Sequence, residues 1–457
     1  MKVYQNLLTL IGNTPIVKVN TLDTGCCSLY LKLENLNPSS SIKDRMALSM
    51  VDAAEKEGVL KPGGTIVEAT SGNTGLGLAL VAALRGYKLI IVYPDKFSKE
   101  KAQHLRAMGA EIVTTRSDVA PGHPEHYDTL AATIAEKEKG LYINQFANPA
   151  NPLAHEKTTA KEIWEQMEGD VDAVVCGVGS SGTITGISRY FQKTAPKVEV
   201  VLADPVGSIL AHYIKTGELL KEAGSWAVEG IGEDYIPPVA DLSHVKKAYS
   251  VSDKESFEII RHLLRREGIF AGPSTGVLVG AALQYCREQK EHKNVLTFVC
   301  DTGSKYLSKA YNDYWMIDNG FLERPVENNL LDLISRRHQE GNTITLNPDH
   351  TLNIAVARMK INDVSQLPVL EGEKIVGILD ESDLLMALYR DNKNLKILVK
   401  EVMTSKLEKV SVNTSLEEVM KIINKGLVVI VEEREKFLGL ITQMDLINHL
   451  RQKLHIS

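Results

Sequence analysis

One lysine and three glycine-rich segments fall where helices would begin, the places at which a chain can do chemistry with its own N–H groups. In NPSSSIKDR (Asn37–Arg45), Lys43 opens a helical pattern. A cation there opposes the helix dipole, at a cost of a few tenths of a kcal/mol up to about 1. The same field lowers the lysine pKa and favours a neutral, nucleophilic amine, the requirement for Schiff-base chemistry with an aldehyde. The plainer reading is a surface lysine whose charge Asp44 offsets.

TSGNTG (Thr70–Gly75) follows the strand pattern TIVEA and precedes LGLALVAAL. Its hydroxyls, its amide and the helix-start N–H groups converge as a receptor for a carboxylate. A cap alone needs one such residue, and this segment supplies more. GVGSSGTITG (Gly177–Gly186) follows the apolar VDAVVC and suits a phosphate, with Ser180, Ser181 and Thr183 adding hydroxyls to the backbone cradle. Gly177, Gly179 and Gly182 fit GxGxxG, and Asp204 imitates the acidic ribose ligand of a dinucleotide site, so the pattern alone leaves open which phosphate is bound. AGPSTG (Ala271–Gly276) opens another helix, where Ser274 either caps it or faces a ligand. His123 and His126 lie in a proline-bounded loop without a third ligand, so no metal is expected; His155 reads as a polar neighbour of a site rather than a catalyst.

The elements that must carry these segments are legible as alternation. Apolar β-branched runs (28–33, 65–68, 89–93, 111–115, 173–176, 199–203, 295–299) alternate with helical patterns (43–57, 74–85, 99–108, 275–289). This predicts an α/β fold of doubly wound parallel sheets covered on both faces. Of the 33 glycines, 28 precede residue 341, and there the texture changes. Ile375–Leu388 matches Phe437–Leu450, with Gly377 and Gly439, Asp383 and Asp445 each 62 residues apart. Two stacked copies of a small α/β unit are expected. The boundaries read as 1–325 for the first domain, 326–340 for a linker, and 341–392 and 397–457 for the repeats.

A formal charge of −6 offers no basic excess for a phosphate backbone, which argues against a nucleic-acid partner. No apolar run reaches the roughly 20 residues of a membrane span, and the N-terminal residues lack a signal-peptide core. Five scattered cysteines suit neither a disulfide framework nor a zinc cage. A soluble, cytoplasmic protein is expected.

Taken together and in order, NPSSSIKDR, EATSGNTGLGLAL, NQFANPANPLAH, GVGSSGTITG, VEGIGEDYIP and AGPSTG resemble the fold-type II pyridoxal-phosphate enzymes of the cysteine synthase/cystathionine β-synthase family. The resemblance covers nearly the whole chain, and the repeat resembles a tandem CBS module. It implies that pyridoxal 5′-phosphate is the cofactor, with Lys43 as the Schiff-base lysine, Asn73 at the ring hydroxyl and Ser274 at the pyridine nitrogen. Gly179, Ser180, Ser181, Gly182 and Thr183 would hold the phosphate, and Thr70, Ser71, Gly72, Thr74 and Gln145 the substrate carboxylate. A neutral serine at the ring nitrogen makes a moderate electron sink, suited to expelling a β-leaving group. The implied reaction is β-replacement, serine with homocysteine giving cystathionine, and Glu229 is implied at the homocysteine amino group.

The same-scaffold alternative uses O-acetylserine, with sulfide or homocysteine; an inert nucleotide-sensing protein and a nicotinamide enzyme are the other readings. Two departures from the animal pattern, Glu233 after EGIG and Phe146 after Gln145, bear on how the second substrate is gripped. The haem-binding extension and CxxC pair of animal forms are not found here, the corresponding segment reading KTAPKVE, so no haem is expected. In the repeats, Thr442 and Asp445 form the family's adenosine-contacting pattern. Asp380 replaces the hydroxyl in the first copy, which favours a cationic ligand such as S-adenosylmethionine, or none, over ATP there. A homodimer or higher homo-oligomer is expected.

Overall fold

The computed structural model describes residues 3–70, 72–95, 99–119, 122–341, 343–390 and 395–455. The chain divides into two compact units, Met1–Tyr311 and Asn312–Ser457. The division falls ahead of the boundary expected at 325, because Asp313–Asp318 forms a helix belonging to the second unit.

Among the described residues the first unit holds ten strands: β1 Ile16–Lys18, β2 Ser28–Lys32, β3 Thr65–Ala69, β4 Lys88–Pro94, β5 Glu111–Thr115, β6 Leu141–Tyr142, β7 Ala173–Gly177, β8 Glu199–Pro205, β9 Lys247–Val251 and β10 Asn294–Phe298. One sheet runs β5-β4-β3-β6, all parallel. The other runs β1-β2-β10-β7-β8-β9, parallel except for the β1–β2 pair. Seven strands match the apolar runs of the sequence. β1, β6 and β9 were not legible, being short or of mixed polarity.

Four helices position the chemistry: α1 Lys43–Lys56, α2 Asn73–Arg85, α3 Gly182–Thr194 and α4 Pro273–Arg287. Strands such as β10, buried along its whole length, need cover on both faces. α4 supplies it with a helix buried on nearly every side, and α2 does the same beside β3 and β4. Each large aliphatic side chain so buried contributes on the order of 1.5–3 kcal/mol. In each sheet the winding direction reverses once, between β3 and β6 and between β7 and β10. A crevice opens at the carboxyl ends of strands at such a reversal. The four strands at the two reversals are followed by Thr70–Thr74, Gln145, the GVGSSGT loop and Cys300–Asp301 respectively.

The second unit contains the two repeats. Gln366–Glu371 pairs antiparallel with Lys374–Asp380, and Val429–Glu433 with Lys436–Ile441. Val369 faces Gly377, Val431 faces Gly439, and a bulge follows each valine, so the 62-residue repeat is kept at the level of register. The expected linker is not a passive connector. Leu330, Leu333 and Ile334, ahead of the first repeat, lie in the second repeat's core, while Val399, Val402 and Met403, at the start of the second, pack into the first. Each repeat is completed by the segment that leads into the other. Both insertions need glycine opposite them: a Cβ on Gly439 would stand 2.5 Å from Ile334, and one on Gly377 2.4 Å from Met403.

Candidate active site

Lys43 is the first residue of α1. The loop before it is tied to the end of β10 by Ile42 N–H to the Cys300 carbonyl (2.9 Å) and by a bridge between Ser41 and Asp301. Burial brings the Lys43 amine below its ordinary pKa, against the opposing pull of Cys300, Asp301 and Glu233. Burial therefore dominates where the sequence argument relied on the helix dipole. Among the described residues the amine has no hydrogen-bond partner. Asp44 does not neutralise it: its carboxylate turns back to accept from the Ser39 N–H (2.7 Å) and the Ser39 hydroxyl, anchoring the loop, and burial pushes it up to about 6.

The GVGSSGT loop ends in Ser181, the N-cap of α3, at φ +62° and with no cap bond from its side chain. Its hydroxyl is buried without a partner. Ser180 accepts from the Asn151 amide (3.0 Å), and the Thr183 hydroxyl lies 3.4 Å from His155 Nε2. A Cβ on Gly182 would come within 1.8 Å of Asn151 Oδ1, so only glycine lets the loop close here. An unfilled helix start with an orphaned buried hydroxyl fits an anion. His155, held by Thr159 at 2.9 Å, is kept neutral by burial and by the nearby Lys43 and Arg45 charges. His155 is the polar neighbour of the site that the sequence suggests, whereas Asn151, four residues earlier in NPANPLAH, has no role assigned from the sequence.

Asn73, the first residue of α2, is clamped at both ends of its amide. It donates to Asp301 (2.7 Å) and accepts from Lys305 (2.8 Å). Lys305 also donates to the Ser39 and Ser40 carbonyls, and burial brings it down to about 8. Asp301 accepts from Tyr306 as well (2.7 Å). Thr74 donates to Gln145 (2.7 Å) across 71 residues of sequence. The Gln145 backbone is held by Glu68, a carboxyl pushed up to about 8 by burial. Gly72, the α2 N-cap, has no side chain with which to cap the helix, and Thr70 accepts from the Gly72 N–H (3.2 Å). Ser71 lies outside the described residues. Ser274 sits in the first turn of α4, beside the Cys300 thiol, which burial pushes up to about 12.

The residues present suit pyridoxal phosphate: an anion cradle at α3, an amine at α1 whose pKa burial lowers, and an oriented amide and a neutral hydroxyl between them. A family model for pyridoxal-phosphate dependent enzymes matches residues 7–301. The chain belongs to that family. CBS domain models match 332–390 and 399–452, so the second unit is a CBS pair. The chain is 35% identical to the cystathionine beta-synthase of Apis mellifera, over 98% of this chain and 91% of that one. It is 41% identical to cysteine synthase A of Escherichia coli, over 68% of this chain and 95% of that one. A solved structure of a hydrogen sulfide-producing enzyme from Fusobacterium nucleatum is 37% identical, with a TM-score of 0.62 over 67% of this chain and 100% of that one.

Within this pyridoxal-phosphate enzyme, Glu229 lies nearly buried with a lysine on each oxygen, Lys101 at 2.7 Å and Lys309 at 2.6 Å. Burial alone would raise its pKa; the two lysines overcome this and lower it. In the CBS pair, Thr442 and Asp445 bond to each other at the start of the last helix, Gln443–His455, and Asp445 also accepts from Ser335. Asp380 and Asp383 make the corresponding pair of backbone bonds in the first repeat. His123 accepts from the Glu125 N–H, and His126 occupies the N-cap position of the helix Tyr127–Lys137 without a side-chain cap bond. Among the described residues no group of three His, Cys, Asp or Glu is placed to hold a metal, and no helix is long and apolar enough to cross a membrane.

Proposed function

We infer that this enzyme joins L-serine to L-homocysteine, giving L-cystathionine and water. The observation that carries the reading is the Lys43 amine, its pKa lowered by burial and without a hydrogen-bond partner among the described residues, set between an anion cradle and a carboxylate receptor at the two winding reversals. Bound pyridoxal phosphate supplies the aldehyde that links amine to ligand and a ring that withdraws electrons from Cα. Lys43 then has two tasks: its Nζ takes the Cα proton, and it returns that proton to Cα once the carbon–sulfur bond has formed. The α3 start with Ser180, Ser181 and Thr183 holds the phosphate, and Asn73 keeps an N–H for the ring oxygen. Ser274 would be the neutral partner of the ring nitrogen. The α2 start, with Thr70, Thr74 and Gln145, fixes the substrate carboxylate so that the Cα–H bond stays within reach of Lys43.

The similarity to cysteine synthase A keeps one competing chemistry in view, O-acetylserine with sulfide. Product analysis with each donor and acceptor decides between them: cystathionine from serine and homocysteine supports the proposal, and no turnover of homocysteine with either donor defeats it. We further propose that the CBS pair binds an adenosine ligand such as S-adenosylmethionine and regulates turnover. We place the enzyme in the cytoplasm, a reading supported by its five unpaired cysteines. We propose a homodimer, supported by the exposed Leu7, Leu10 and Leu36.

A further inference from the structure

We infer that Glu233 receives the α-ammonium group of the second substrate and so sets a preference for thiols that carry an amine. The inference rests on the β-replacement reading above and names the group that selects its acceptor. Glu229, the residue implied for this contact by resemblance, already has its charge balanced by two lysines. Each oxygen accepts from one of them, and Lys101 is itself fixed over the Tyr306 ring at 4.4 Å.

Glu233 stands four residues further along the same loop on a pinned backbone. Its N–H donates to Ser208 (3.1 Å), and its carbonyl accepts from the Ser208 hydroxyl (3.0 Å) and the Ile209 N–H (3.1 Å). Gly232, just before it, donates to the Val178 carbonyl (2.7 Å), which ties the loop to the phosphate cradle. Tyr235, two residues on, lies 6.1 Å from Phe146, next to Gln145. Glu233 is thus held between the cofactor side and the substrate side of the site. Among the described residues its carboxylate has no hydrogen-bond partner.

Its electrostatic surroundings call for a cation. Burial raises its pKa well above the usual carboxylate range, and Asp234, Asp128 and Asp204 add to this, with the Lys43 charge opposing. Lys43 is itself held toward its neutral form and is engaged in the chemistry. An ammonium arriving on the acceptor supplies the missing counter-charge, a short alkyl chain away from the attacking sulfur.

The test uses full-length holoenzyme with serine as donor and compares homocysteine with 2-mercaptoethanol, a thiol without an amine. In Glu233→Gln the ratio of kcat/KM for homocysteine over 2-mercaptoethanol is expected to fall about ten- to a hundredfold, mostly through KM, the size of a lost charge-assisted hydrogen bond. Glu233→Asp should keep most of the ratio. A second measurement needs no variant: the wild type should prefer cysteamine, which bears an ammonium but no carboxylate, over 2-mercaptoethanol by about tenfold. An unchanged ratio in Glu233→Gln, an equal loss for both thiols, or no preference for cysteamine overturns the inference. So does a selective loss confined to Glu229→Gln. A wild type that turns over sulfide but never homocysteine overturns the parent reading instead, and does so before any variant is made.

Discussion

Asn73 donates its side-chain amide to Asp301 at 2.7 Å across 228 residues of sequence, while its carbonyl is held by Lys305. The two ionic partners exclude the flipped amide and leave one N–H for a ligand oxygen. Asp301→Asn should therefore weaken pyridoxal-phosphate binding by about tenfold, the worth of a charge-assisted bond, and Tyr306→Phe by less. Titration of the apoenzyme with cofactor, followed in visible light, checks the order. Equal affinity in Asp301→Asn and wild type would sink it.

Lys43→Ala should abolish the visible band and turnover while leaving the fold intact, since the side chain makes no hydrogen bond that packing requires. Borohydride treatment of the wild-type holoenzyme should raise the mass of the peptide containing Lys43; an unmodified peptide contradicts the assignment.

Arg45 carries a prediction about stability. It bonds to Glu34 (2.7 Å) and Glu162 (2.7 Å), with Lys32 also on Glu162 (3.0 Å), and Glu34 is fully buried. Removing the arginine leaves Glu34 without its main counter-charge, at a cost of about 3–5 kcal/mol. Arg45→Met should lower the urea midpoint accordingly. Because the network anchors α1 directly behind Lys43, cofactor affinity should fall with it.

His155 gives a pH dependence. Its folded pKa lies well below 6.5, whereas the unfolded chain takes up a proton near that value. Below pH 6.5 the unfolded state thus binds more protons, and stability falls by up to about 1.4 kcal/mol per pH unit from this residue. Glu68 and Asp44, raised by burial to about 8 and about 6, contribute with the opposite sign as the pH falls from those values toward 4.5 and 3.8, and so overlap the same range. The comparison that isolates the histidine is therefore wild type against His155→Gln, measured by urea unfolding at pH 7 and pH 5.5: the variant should show the shallower loss.

The paired insertions of the CBS module predict an asymmetry. Gly439→Ala meets the stiff, β-branched Ile334, whereas Gly377→Ala meets Met403, a flexible thioether. The first should cost about 1–3 kcal/mol and the second less. Full-length unfolding curves of the two variants give the comparison; a larger loss at Gly377 would contradict the packing described.

Much of this was legible before any coordinates. Lys43, TSGNTG, GVGSSGT and AGPSTG were readable because helix starts and strand ends are local events, written in contiguous residues. The α/β alternation and the 62-residue repeat were readable because hydrophobic period and duplication are properties of the string itself. The partners of those segments were not. Asp301 and Lys305 reach Asn73, Gln145 reaches Thr74, and Leu330–Ile334 completes a repeat beginning some 60 residues later, only because winding reversals and stacked sheets bring distant segments together. The state of the Lys43 amine belongs to the same class. Its residue type and position are sequence, but the lowering of its pKa is a sum of burial over strands and loops from the first unit, and no local pattern encodes a sum of that kind.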